Sequence, residues 1–380
     1  MLGDKKVLIV GPPLDGPGGV SGYYRSILPF LTEKSASNYS FEYLRVGERS
    51  GLVGRIKPVS LFVDICNFFL ACLKFRPSLV HVNPSLSNKS LIRDAILTLI
   101  AKSIFNAKIL VYFRGWDKHN ENYVHSRLWF FKMTLLQADQ YLTLSEHSKA
   151  KLIDWGVNKD QITISFTVIN PSLEKFLRDE SNSTIFGSRT INQKIRVLFL
   201  GRLIKAKGLY ELLDGFEQAH KINDKLELII AGDGPELDSL ISLVNEKRIR
   251  GSVKFLGYVK DKEKFEILAS SHVFMLPSYT EGMPNSVLEA MAAGCLVYTT
   301  SVGSLTEFIR KGWVRPIEVA DSGSIFAALT DSQLARDYLA MRINTSEIAL
   351  ANFNHRAVCG GLLASYDNVF NRAHTTGKTS

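Results

Sequence analysis

Short, almost wholly apolar runs recur along this chain, at residues 6–10, 79–82, 108–113, 140–144, 196–200, 226–231, 273–276 and 296–299, and longer helix-like segments separate them. A strand without polar alternation is covered on both faces, and a helix-length segment between strands is the crossover a parallel sheet needs. The pattern predicts an α/β fold of parallel sheets with helices on both faces. At 380 residues the chain is too long for one ordinary core. Two domains are expected, over residues 1–175 and 195–353, joined by a polar, aperiodic linker at 176–194. Two helices, about 332–349 and 354–372, finish the chain, and the tail after Ala373 is expected to be disordered.

Composition narrows the class. With 46% apolar and 22% charged residues the chain reads as a soluble globular protein. Its apolar start is too short for a signal peptide, and residues 61–73, the nearest approach to a membrane span, are broken by Asp64 and Asn67. Cys66, Cys72, Cys295 and Cys359 have neither metal-ligand spacing nor a disulfide framework, so a cytoplasmic location is expected. The net charge of +9 is concentrated early: residues 1–175 hold 22 Lys plus Arg against 14 Asp plus Glu, and the remainder 24 against 23. No zinc-finger spacing and no cluster of cations with interleaved aromatics favours nucleic acid. An anionic membrane surface, met peripherally from the cytoplasmic side, is the expected partner for the basic half, with a merely solvated face as the alternative.

Chemistry concentrates at residues 278–294. After the buried run 273–276, Pro284 suits the first position of a helix that Gly294 closes, leaving Glu281 in the loop and Glu289 inside the helix. At helical spacing Glu289 has Asn285, Ser286, Ala292 and Ala293 as neighbours, so no cation of its own helix neutralises it. A polar ligand is then the expected counterpart, and the helix start offers N–H groups to a phosphate. The plainer reading makes both glutamates solvated surface charges.

Glu281-Gly282-Met283-Pro284-Asn285-Ser286-Val287-Leu288-Glu289 resembles the E-x7-E signature of family-4 retaining glycosyltransferases, whose fold is GT-B, two Rossmann-like domains facing each other across a cleft. The likeness extends to Gly201-Arg202 with Lys207-Gly208 and to Gly232-Asp233-Gly234-Pro235. It implies a metal-independent, retaining hexosyl transfer from a nucleotide-diphosphate sugar, UDP- or GDP-linked, to a glycan or lipid-linked acceptor in cell-surface polysaccharide or lipopolysaccharide synthesis, without a further cofactor. Glu281, Arg202 and Lys207 would be catalytic. Donor contacts would come from Gly18, Gly19, Arg202, Lys207, Tyr258, Glu281, Gly282, Met283, Pro284, Asn285 and Glu289.

Arg114 stands where many family members carry His, so Arg114 and Asp117 are assigned to acceptor or sugar, with a salt bridge between them as the structural alternative. Ser304 and Thr306 depart from the family's Gly-Gly-x-Pro-Glu, of which Gly303 and Glu307 remain. Two other readings stay open, a GT-B sugar-nucleotide epimerase and a catalytically silent nucleotide-sugar binding protein. The segment 11–16 lacks the G-x-G-x-x-G order, against a nicotinamide enzyme.

Overall fold

The computed structural model describes residues 5–16, 18–34, 38–47, 57–86, 88–116, 120–179 and 194–372. The chain divides into two compact units, Met1–Thr167 with His355–Ser380, and Val168–Asn354. Most of the segment assigned to the linker, and the tail after Ala373, lie outside the described residues.

The first unit holds six parallel strands: β1 (Lys5–Gly11), β2 (Tyr39–Arg45), β3 (Leu79–Val82), β4 (Lys108–Tyr112), β5 (Gln140–Thr143) and β6 (Ile162–Ile164), in the order β2-β1-β3-β4-β5-β6. Side chains alternate between faces along each strand. Leu8, Val10, Val80, Val82, Ile109 and Val111 enter one core with Phe68, Cys72, Leu91 and Ala95. The other face carries His81 and Tyr112. Helix Gly19–Lys34 covers them with Tyr23 and Tyr24, and helix His355–Asn371 with Tyr366. His81 is wholly buried. Its Nδ1 is 2.8 Å from the Tyr366 hydroxyl and its Nε2 3.3 Å from that of Tyr24. Burial, aided by the Arg114 charge, pushes its pKa down to about 3, so the imidazole stays neutral.

The second unit repeats the plan with β7 (Ile195–Leu200), β8 (Leu226–Ala231), β9 (Val253–Gly257), β10 (Val273–Leu276), β11 (Leu296–Thr300) and β12 (Arg315–Ile317). Their order is β12-β11-β10-β7-β8-β9, all parallel. The order reverses between β7 and β10. At such a switch point the loops leaving the two strand ends diverge to opposite faces and leave room for a ligand. The expected α/β architecture is present. Strands β2, β6, β9 and β12 escape the apolar-run criterion: β2 is half-covered and mixed in polarity, β9 is buried only at its first residue, and β6 and β12 are three residues long.

Candidate functional site

Three loops converge at the switch point of the second unit. The loop after β7 contains a single helical turn, Lys205–Lys207, ending at Gly208 with φ +66°. A Cβ there would lie 2.0 Å from the Pro277 carbonyl oxygen, so only glycine allows the β7 and β10 loops to touch. The Tyr279 N–H donates to the Ala206 carbonyl at 2.9 Å and fixes that contact. From the other side, Gly303 (φ +57°) presses on the Glu281 carbonyl, which a Cβ would approach to 2.0 Å. Ser304 donates to the Gly282 carbonyl twice, from N at 3.0 Å and from Oγ at 2.7 Å. Ser304 departs from the family pattern and holds this loop in place.

Clamped in this way, Glu281 meets Lys207. The Lys207 Nζ donates to Glu281 Oε1 at 2.5 Å, and the Ser278 hydroxyl donates to the same oxygen at 2.7 Å. Both charged side chains are largely enclosed, at 16% and 8% exposure. In such a setting an ion pair is held in one geometry rather than averaged away by water.

Helix Asn285–Ala292 begins one residue later than expected, with Pro284 as the preceding cap at φ −75°, ψ 120°. Gly294 closes it at φ +71°: its N–H donates to the Met291 carbonyl, and the Cys295 N–H donates to that of Ala290. Val287, Leu288 and Met291 turn inward as expected.

Glu289 corrects the expectation of an unneutralised carboxylate. It is 6% exposed, and its Oε1 accepts from Lys264 Nζ at 2.7 Å. Lys264 belongs to helix Asp261–Ser270, 25 residues upstream. Spacing along the carboxylate's own helix cannot reveal a partner on a neighbouring one. Sequence reasoning therefore missed Lys264, and nothing in Lys260-Asp261-Lys262-Glu263-Lys264 marks one lysine above another.

The remaining assignments fall in different places. Arg202 is exposed on the β7 loop, with no ion pair among the described residues. That loop abuts the one after β8, where Gly232 and Gly234 leave no room for a Cβ against the Gly201 and Leu203 carbonyls. Tyr258 follows β9 and is 75% exposed, while Met283 and Asn285 are half-buried. Gly18 (φ +114°) and Gly19 lie in the first unit, where an added Cβ would meet nothing within 4 Å. Arg114 is buried at the end of β4, stacked on Tyr23 and Tyr112. Asp117 lies outside the described residues, and with it the proposed bridge to Arg114. Contact therefore joins Lys207 to Glu281 and Glu289 to Lys264. Ser278, Ser304 and Lys264 complete the site without having been foreseen.

Residues 181–337 match the model of the family described as glycosyl transferases group 1. A Campylobacter jejuni protein named N,N'-diacetylbacillosaminyl-diphospho-undecaprenol alpha-1,3-N-acetylgalactosaminyltransferase is 27% identical over 247 residues, 63% of each chain. The Escherichia coli O-antigen biosynthesis glycosyltransferase WclY is 26% identical over 169 residues, 44% of each. This chain spans less than two thirds of the length of these relatives. The solved structure of Anabaena Alr3699/HepE in complex with UDP and glucose superposes with a TM-score of 0.66 at 15% identity, covering 96% of this chain and 99% of that one. At that identity the likeness shows the fold.

Proposed function

Since residues 181–337 match the glycosyl transferases group 1 family and the chain has the GT-B fold, we propose that it is a retaining, metal-independent glycosyltransferase of that family. It would move a sugar from a UDP- or GDP-sugar to a hydroxyl of a glycan or lipid-linked acceptor, in bacterial cell-surface polysaccharide or lipopolysaccharide synthesis. One observation carries the reading: the Lys207–Glu281 pair, clamped by Gly208 and Gly303 at the strand-order reversal of the second unit. A relative named for a diphospho-undecaprenol substrate and one named for O-antigen synthesis support the acceptor class. The HepE complex with UDP supports a nucleotide donor.

In this reading Glu289 accepts hydrogen bonds from two adjacent ribose hydroxyls, with Lys264 holding the carboxylate in place. Glu281 takes donor-sugar hydroxyls near C3 and C4 and helps place the anomeric carbon. Negative charge grows on the diphosphate as the glycosidic bond breaks. Lys207 lies beside the sugar-binding carboxylate, and the exposed Arg202 is free to swing onto the same oxygens. The N–H groups at Asn285, where the helix starts, add a positive dipole end. No carboxylate is singled out as a nucleophile beneath the sugar, which favours front-face displacement, with a donor phosphate oxygen assisting the acceptor hydroxyl.

The first unit would take the acceptor and rest on an anionic membrane. It exposes Phe62, Leu70, Ile104, Trp129 and Met133 alongside its excess of basic residues. Among the described residues no helix is long and apolar enough to cross a membrane. A thermal-shift screen against UDP-, GDP- and ADP-sugars tests the donor claim. Stabilisation by one class, lost in Glu289→Gln, is expected; no shift with any of them overturns it.

A further inference from the structure

Among the described residues, Arg114 is a cation buried without an anion. It leaves the carboxyl end of β4 with 8% of its surface exposed. Its Cζ lies 3.8 Å from the centre of the Tyr23 ring and 4.4 Å from that of Tyr112. Among the described residues no carboxylate pairs with it, and its Nε and Nη1 are enclosed without a hydrogen-bond acceptor. The Tyr23 hydroxyl beside it is likewise buried and unpartnered. Aromatic faces offset part of the cost of enclosing a guanidinium, but they accept none of its five N–H donors. A buried charge in this state is strongly unfavourable unless something with negative oxygens completes it. The unmet groups are two donor-only guanidinium nitrogens and a hydroxyl that can also donate, a set that matches a phosphate or carboxylate. They also lie beyond the strand ends, on the face covered by the helix that starts at Gly19.

We propose that Arg114 and the Tyr23 hydroxyl form an oxyanion-recognition subsite of the first unit, taking a phosphate or carboxylate carried by the acceptor. This deepens the glycosyltransferase reading and rests on it for the word acceptor, but anion binding itself does not.

The test uses the full chain in an Arg202→Ala/Lys207→Ala background, which removes the other cations of interest, without any nucleotide sugar. Inorganic pyrophosphate and glucuronate are titrated calorimetrically as probes of the two sources. Binding of pyrophosphate alone assigns a diphosphate-linked acceptor, and binding of glucuronate alone an acidic sugar. Arg114→Gln should weaken the bound probe by about tenfold or more, and Tyr23→Phe, which keeps the ring, by a few-fold. Arg114→Lys should recover only part, because a point charge does not reproduce the fork. Failure of both probes overturns the proposal. So does unchanged affinity in Arg114→Gln with a lowered Tm, which would make the guanidinium a structural cation. Should Arg114→Gln not fold, Tyr23→Phe decides: unaltered affinity overturns the subsite. Loss of nucleotide-sugar binding in the unsubstituted chain would sink the parent reading and leave these outcomes standing.

Discussion

Lys207 and Glu281 lie 74 residues apart in the chain, yet their side chains meet at 2.5 Å, with Ser278 donating to the same carboxylate oxygen. Each holds the other in place, so their contributions to turnover should not be independent. Lys207→Ala is expected to lower kcat by about 100-fold or more, by comparison with losing one preorganised donor. The double variant Lys207→Ala/Glu281→Gln should fall little below the worse single variant, since groups acting as a unit are non-additive. Fully multiplicative losses in steady-state kinetics would show two unrelated residues.

Gly303→Ala separates backbone strain from collision. At Gly312 (φ +69°) an added Cβ meets nothing within 4 Å, so Gly312→Ala should cost only the left-handed penalty of roughly 1–2 kcal/mol. At Gly303 the same methyl would also strike the Glu281 carbonyl. Urea denaturation should show a larger loss for Gly303→Ala, and donor affinity should fall with it. Equal losses would mean that the Glu281 loop yields freely.

Removing Lys264 strands a carboxylate. Lys264→Met should destabilise the protein by about 2 kcal/mol or more, because Glu289 would then be enclosed without its cation. Lys264→Met/Glu289→Leu should regain much of that stability while leaving donor binding abolished. If the single variant is neutral in chemical denaturation, the pair has no energetic weight.

His81 links stability to pH. Its folded pKa, about 3, lies below the ordinary value near 6.5, so between these limits the unfolded chain binds a proton that the folded one refuses. Its contribution is complete above pH 6.5 and is lost as pH falls towards 3, with a slope of at most ~1.4 kcal/mol per pH unit. His81→Gln should flatten that acid limb in Tm measured against pH. A limb of unchanged steepness would place the proton uptake elsewhere.

What the chain reveals of itself follows the range of each interaction. Strand β3 falls where its apolar run predicts, and Ser145 caps helix Glu146–Asp154 as its place in the sequence suggests, accepting from the Ser148 N–H. These are local effects. The glycines at 208 and 303 stand out as residues, but which carbonyl each one spares a collision depends on loops 69 and 22 residues away. The Lys264–Glu289 pair was hidden because helical periodicity describes one helix at a time. Arg114 was visible as a departure from pattern. Its enclosure by Tyr23 and Tyr112 emerges only when β4 is covered by a helix from the start of the chain.

The helix His355–Asn371 belongs to the unit that begins at the amino terminus, so one of the two folding units is discontinuous. During synthesis on the ribosome, Tyr366 reaches His81 only after all of residues 168–354 have emerged. Until then the face of β3 and β4 that carries His81 and Tyr112 is covered only by helix Gly19–Lys34, and a chain stopped at Asn354 would leave the rest of it open permanently. Such a truncation should yield a first unit that binds hydrophobic dyes and is readily proteolysed, beside a second unit that resists protease.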